Sequence, residues 1–474
     1  MSADERDDAR ASETGAPARV PARPDAVYGS VRVAAWAADL LATAPFQRLA
    51  GVSLSDVPGE LLTGRPFPSR LDHVIGVYHL VRLARPRDRA LQAAALAHDL
   101  GHGPFSHLSE PLMREWLGCD HEQRAARKLA EARARLSPAA LRRLAWLDWD
   151  EVAALVVGGG TGGRGALLNG PLDYDNIEYV ARFLLAADLG APGYDPVALA
   201  RALRLAPAAP DGRDSDGPAH GAGGSRGTKV PAHGTMGNGP EGPAHGGGDT
   251  DGRPPDAPTD PAWVPVVPTV LLPAGAAEGV AWQGARARVY GYLHGQHANL
   301  APHAMLRKAI ELAWLSHELA ETFLDLTDAQ ALAALAGCAD RGAATLAQRV
   351  GAGSARYHTC VWEAPANAAR LPASPLVDWR PRLELERSLA AEAGLAPHEV
   401  ILEVLTSRAR RALPPVAGRA PVPARPALAP AEPPVIHLFV SAEAPRDYRH
   451  RLRAATERRL RELGVLRGDA RTAG

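Results

Sequence analysis

The segment Ala97 to His107, AHDLGHGPFSH, places three histidines and an aspartate within ten residues. It closes the stretch VRLARPRDRALQAAALAHDL (Val81 to Leu100), which is rich in Ala, Leu and Arg and poor in β-branched residues, and so predicts a helix running into the motif. Adjacent residues on a helix diverge by about 100°, so His98 and Asp99 serve different purposes, yet both can reach a metal seated beside the helix end. Gly101 and Gly103 are then expected to break the helix and let the backbone carry His102 and His107 back towards that metal. Any one of these histidines alone would read as a helix cap or a satisfied core residue. Four such groups at this spacing read as a site.

Working outward, SRLDHVIGVYHL (Ser69 to Leu80) sets Arg70 and His73 at the start of an apolar-periodic helix, and PLDYDNIEYVARFLL (Pro171 to Leu185) sets Asp173 and Asp175 at the start of another. His79 lies six positions from His73, off its face, and reads as structural. EQRAARKLAEARARL (Glu122 to Leu136) is again helical. Imidazole and carboxylate together suit Mn, Mg, Fe or Zn as the divalent ion, and such an ion acidifies bound water and polarises a phosphoryl oxygen.

The ordered set FQRL (Phe46 to Leu49), SRLDH (Ser69 to His73), AHDLGHGPFSH, DHEQ (Asp120 to Gln123) and LDYDNIEYVAR (Leu172 to Arg182) resembles the HD-domain deoxynucleoside triphosphate triphosphohydrolases, without their SAM domain. Fainter similarity continues through VYGYLHGQHANLAPHAMLRKAIELAW and FLDLTDAQALAAL. Residue by residue, the resemblance implies His73, His98, Asp99 and Asp175 as metal ligands, with Asp173 competing for the last place. It implies His102, His107 and His121 around the scissile phosphate, one of them giving a proton to the leaving oxygen, with Glu110 and Glu122 orienting them. Arg70 would meet phosphate, Tyr179 would line the nucleoside pocket, and Arg182 would sit at its structural or phosphate-facing edge. His294, His297 and His303 fall where the family completes its pocket, and Arg307 and Lys308 could restore phosphate-facing charge. Family members assemble as dimers, tetramers or hexamers, which implies a homo-oligomer.

The chain departs from that pattern at three places. Asn176 stands where the relatives carry a phosphate-binding lysine, Phe183 stands where they carry a sugar-facing aspartate, and AGVSLSDVPGELLTGRPFPS (Ala50 to Ser69) replaces their glycine-rich, sugar-facing segment. The metal site argues for phosphoester hydrolysis, while these positions withhold the substrate's identity.

The rest of the 474 residues frames this core. The expected fold is mainly α: a disordered tail over 1–26, an HD catalytic domain over 27–205, a Gly/Pro-rich disordered insertion over 206–260, a helical continuation over 261–415, and a linker with a small α/β extension over 416–474. Three PAHG repeats in the insertion read as slippage within a low-complexity tract. VPVVPTVLL (Val264 to Leu272) and ARARVYGYLH (Ala285 to His294) read as short β or extended segments, VIHLFVSA (Val435 to Ala442) as a strand and DYRHRLRAATERRLRELG (Asp447 to Gly464) as a terminal helix. Thr327 reads as an N-cap of a helix that Gly337 ends. Fifty-three basic residues balance 53 acidic ones, so nothing points to nucleic acid. Three cysteines without CxxC spacing argue against disulfides and a thiolate zinc site. No signal peptide or membrane span is read, which gives a cytoplasmic expectation.

Overall fold

The computed structural model describes residues 22–170, 172–205, 270–273, 277–353, 358–405, 416–417 and 434–466. The fold is mainly α, as the composition of its helices requires. The repeats and the whole segment 206–260 lie outside the described residues.

The helix Arg70–Ala84 runs through the first core. Ser69 and Asp72 form a capping box at its start, and Leu71, Val74, Ile75, Val77, Tyr78, Leu80 and Val81 are buried around it. It packs on Arg89–Ala97, whose run of alanines lets neighbouring backbones approach closely, and on Tyr174–Ala186. Phe46, Leu49, Leu129, Leu155 and Trp282 complete this core.

A second core surrounds His297–Leu315. This helix follows directly on Ala277–Gly295, so the stretch Ala285 to His294 is helical and not extended. Its alanines and arginines favour helix, and Trp282, Ala285 and Val289 supply a buried seam at helical spacing. Thr327 caps Asp328–Ala336 with a capping box through Gln330, and Gly337 ends that helix. Val270–Pro273 is a strand, paired antiparallel with Arg204–Leu205.

The α+β part begins earlier than 416. His358–Pro365, Val435–Ser441 and Val400–Leu405 form an antiparallel sheet in that order, so two strands of it come from the region expected to be helical. The strand VIHLFVS sits in the centre, and alternation along it sends Phe439 towards His297–Leu315 and Ile436, Leu438 and Val440 into a third core. The helices Trp379–Ala393 and Arg446–Glu462 supply Leu389, Leu452 and Leu460 to that third core. At the other end, Arg23–Asp25, within the stretch expected as tail, pairs with Gly29–Val31, and Asp25 is held there by a buried ion pair with Arg182 at 2.8 Å. Among the described residues no helix is long and apolar enough to cross a membrane.

Candidate metal centre and phosphate pocket

The local path of AHDLGHGPFSH differs from the expectation in one respect. The helix ends at Ala97, with His98 as its C-cap, but the chain reverses at Phe105 and Ser106, which hold φ of 57° and 53°. Non-glycine residues seldom adopt this region and do so at a cost that surrounding contacts must offset. Asp328 supplies one of them: its carboxylate accepts from the Phe105 N–H and the Ser53 N–H, both at 2.8 Å. Gly101 has a different purpose, since a Cβ there would run into the His121 carbonyl; its absence lets the His121–Ala134 helix pack against the loop. Arg48 of FQRL donates to the carbonyls of His102 and Leu326, and Arg124 donates to that of Gly101 at 2.8 Å.

Beside this pinned loop the four expected ligands come together. His73, His98 and Asp99 are buried and present ligand atoms within 4.8 Å of one another. Asp175, on the first turn of Tyr174–Ala186, reaches His73 Nε2 at 3.0 Å and His98 Nε2 at 3.9 Å. Asp173 instead caps that helix, its Oδ1 accepting from the Asn176 N–H at 2.7 Å. Glu178, which the sequence reading missed, accepts from His73 Nδ1 at 2.5 Å; its place one turn after Asp175 was the available signal.

The residues fit a divalent cation. His98 Nδ1 donates to the Ala95 carbonyl at 2.9 Å, which leaves Nε2 a bare lone pair, buried and without a hydrogen-bond partner among the described residues. Burial opposes a charged His73, yet Glu178 and Asp175 push its imidazole up to about 10, so the hollow is built for a positive charge. Burial alone would raise the Asp99 carboxyl, but Arg70, His98 and His102 hold it well below the ordinary range. His73, His98, Asp99 and Asp175 would hold the ion, with Glu178 and the Ala95 carbonyl fixing the two imidazoles.

Beside this tetrad stand His102, His107 and His121. The His102 and His121 rings stack at 4.1 Å, and His107 meets both edge-on at 5.0 and 5.2 Å. Glu110 accepts from both His107 Nδ1 and His121 Nδ1 at 2.7 Å, and Glu122 lies 3.3 Å from His121. Burial works against a charged His121, but Glu110 and Glu122 raise it above its ordinary value. Burial, with Arg70 and His121 nearby, holds His102 neutral. Both groups open on one cavity of about 1150 Å³, also lined by Arg70, Tyr179, Arg286, Tyr290, His294, His303 and Arg307. Arg70 bonds Ser106 Oγ at 3.0 Å and Asp99 at 2.5 Å.

Several expected residues lie elsewhere. Arg182 is buried between Glu178 (2.6 Å) and Asp25 (2.8 Å) and is structural, because two carboxylates already neutralise it. Lys308 is fully buried, held by Glu386 at 2.7 Å and the Val400 carbonyl, and brings no charge to the cavity. His297 belongs to a separate cluster with Cys360, Glu363 and His437. His79 packs on Tyr28. Phe183 is buried against Phe67, Tyr179 and Tyr292; Asn176 does line the cavity, with its amide bonded back to Asp173.

Comparison with known proteins agrees with this geometry. The HD domain family matches residues 70–183. Over 104 residues the chain is 34% identical to the deoxynucleoside triphosphate triphosphohydrolase SAMHD1 homolog of Dictyostelium discoideum, covering 18% of this chain and 19% of that protein. Over 96 residues it is 40% identical to the uncharacterized protein YwfO of Bacillus subtilis (strain 168), covering 18% of this chain and 21% of the relative. The chain thus spans about a fifth of the length of the curated relatives it matches. The HD pair at His98 and Asp99, the candidate ligands gathered around it and the family match identify residues 70–183 as an HD domain, the domain type of metal-dependent phosphohydrolases.

Proposed function

We propose that the protein hydrolyses deoxynucleoside triphosphates to deoxynucleoside and triphosphate. The observation that carries this reading is that the metal-competent tetrad and the three-histidine cluster face one cavity large enough for a nucleotide. A divalent ion bound there supplies acidified water and charge stabilisation at phosphorus. Arg70 orients a phosphate oxygen over Asp99, and Tyr179 and Tyr290 offer flat walls to the nucleoside. Water adds to the α-phosphorus, losing a proton to solvent, and the bond to the sugar 5′-oxygen breaks. His121, kept protonated by Glu110 and Glu122, gives its proton to that oxygen, while neutral His102 and Glu110 hold its ring in place.

The test is incubation of the purified protein with each dNTP and Mn²⁺ or Mg²⁺. Inorganic tripolyphosphate is the expected product, lost in Asp99→Ala; release of only monophosphate or diphosphate overturns the reading. A second reading, hydrolysis of another phosphoester by the same centre, is favoured by Phe183, whose ring fills an apolar cluster where the relatives place a sugar-facing carboxylate. Turnover of a nucleoside monophosphate or cyclic nucleotide with none of any dNTP would support it.

A further inference from the structure

Away from the HD centre, His297, Cys360, Glu363 and His437 place four ligand atoms within 4.8 Å of one another. They come from three elements. His297 opens the His297–Leu315 helix, Cys360 and Glu363 lie on His358–Pro365, and His437 lies on the central strand Val435–Ser441.

Their convergence depends on an irregularity of the sheet. Residues three apart on a regular strand point to opposite faces. Here Cys360 pairs with Phe439, Trp362 with Leu438 and Glu363 with His437, so Val361 is an extra residue in a bulge. The bulge restores Cys360 to the face that carries Glu363, His437 and Phe439, and bulges of this kind re-aim side chains at sites. Glu363 Oε2 lies 3.0 Å from His297 Nε2 and 3.3 Å from His437 Nδ1, and Cys360 Sγ lies 4.0 Å from His437 Nδ1. Zinc-to-ligand distances of about 2.0 to 2.3 Å set the edges of a tetrahedral site at roughly 3.3 to 3.7 Å, and the observed separations bracket that range. His437 is buried, and the ring nitrogen it turns towards Glu363 and Cys360 is Nδ1. The ionic partners of Glu363 are the two histidines, with no lysine or arginine paired to it among the described residues.

We propose that His297, Cys360, Glu363 and His437 bind a second divalent cation, zinc, in a closed four-ligand site that ties the start of the His297–Leu315 helix to the C-terminal sheet. One thiolate, two imidazoles and one carboxylate match the preferences of zinc, and four protein ligands make the site structural. His297 and Glu363 are half exposed, which gives the ion an entry path. The site fixes a wall of the cavity: the same helix carries Asn299, His303 and Arg307 to it, and Arg307 bonds Glu403, the cross-strand neighbour of His437, at 2.8 Å.

The experiment uses the full chain stripped with chelator and titrated with Co²⁺. Cysteine is absent from the HD centre, so a near-ultraviolet thiolate-to-cobalt charge-transfer band distinguishes this site from it, and Cys360→Ser distinguishes it from Cys119 and Cys338. The expected result is a band that saturates, persists in Asp99→Ala, disappears in Cys360→Ser and needs roughly tenfold more Co²⁺ in His297→Ala. His297 is exposed, so its variant folds even if Cys360→Ser does not. Zinc content of the purified protein should fall by one ion per chain in His297→Ala or Cys360→Ser. Absence of the band in the parent chain, its persistence in Cys360→Ser, or unchanged cobalt affinity in His297→Ala overturns the proposal.

Discussion

Glu178 Oε2 accepts a hydrogen bond from His73 Nδ1 at 2.5 Å, with both side chains shut off from solvent. Together with Asp175 it favours the protonated imidazole, and Nε2 faces Asp175 and Asp99, where a bound cation would take the place of its proton while Glu178 keeps Nδ1 as the donor. The contact needs Gly76, because a Cβ there would run into the Glu178 carboxylate and the Arg182 guanidinium. Glu178→Gln should lower divalent-metal affinity by roughly 10- to 100-fold with the fold retained, as seen by calorimetric titration of apo protein. Unchanged affinity would show that Glu178 only neutralises Arg182.

Asp173 and Asp175 are both candidates by sequence; in the structure Asp173 caps a helix while Asp175 lies 3.0 Å from His73. Asp173→Ala removes an N-cap and should cost about 1 kcal/mol in stability while the metal stays bound. Asp175→Ala should reduce bound metal and turnover together while the melting temperature of the apo protein changes little. Elemental analysis of the two variants side by side decides between them.

Asp328 lies far along the chain from the HD motif, yet it holds the strained turn at Phe105. Asp328→Ala leaves the Ser53 and Phe105 N–H groups without acceptors, each costing about 1 to 3 kcal/mol. Turnover should fall as well, because Ser106 holds Arg70 and His107 follows it directly. Denaturant unfolding and kcat measured on one preparation would check both, and Asp328→Asn should fall between the parent and the alanine variant.

His358 couples the sheet to pH. Its Nε2–H donates to the His398 carbonyl at 2.8 Å, Nδ1 has no partner among the described residues, and burial pushes the imidazole down to about 3. An unfolded histidine titrates near 6.5, so below that pH the unfolded chain binds a proton that the folded chain refuses. The neutral folded state is fully favoured above the unfolded value, and stability falls by about 1.4 kcal/mol per pH unit as pH drops from there towards the folded value. His358→Gln keeps the donor and loses the titration. Its stability should therefore decline less steeply below about pH 6 in urea unfolding at several pH values; equal slopes would contradict this.

The sequence by itself determined whatever depends on neighbours along the chain. AHDLGHGPFSH and the capped helices beginning at Arg70 and Tyr174 fixed the mainly α core and the candidate ligands His73, His98, Asp99 and Asp175, because helical spacing and local capping set which side chains stand at a helix end. Thr327 and Gly337 bounded their helix for the same reason. Tertiary structure decided everything that requires distant segments to meet. It turned Arg182 and Lys308 away from the cavity, since buried carboxylates contributed from elsewhere in the chain, Asp25 and Glu386, hold them. It drew strands from 358–405 into the C-terminal sheet, because pairing partners are not encoded in local periodicity. It placed Asp328 beneath the HD turn and moved His297 out of the pocket to Cys360, Glu363 and His437, contacts that only folding across long sequence separations can create.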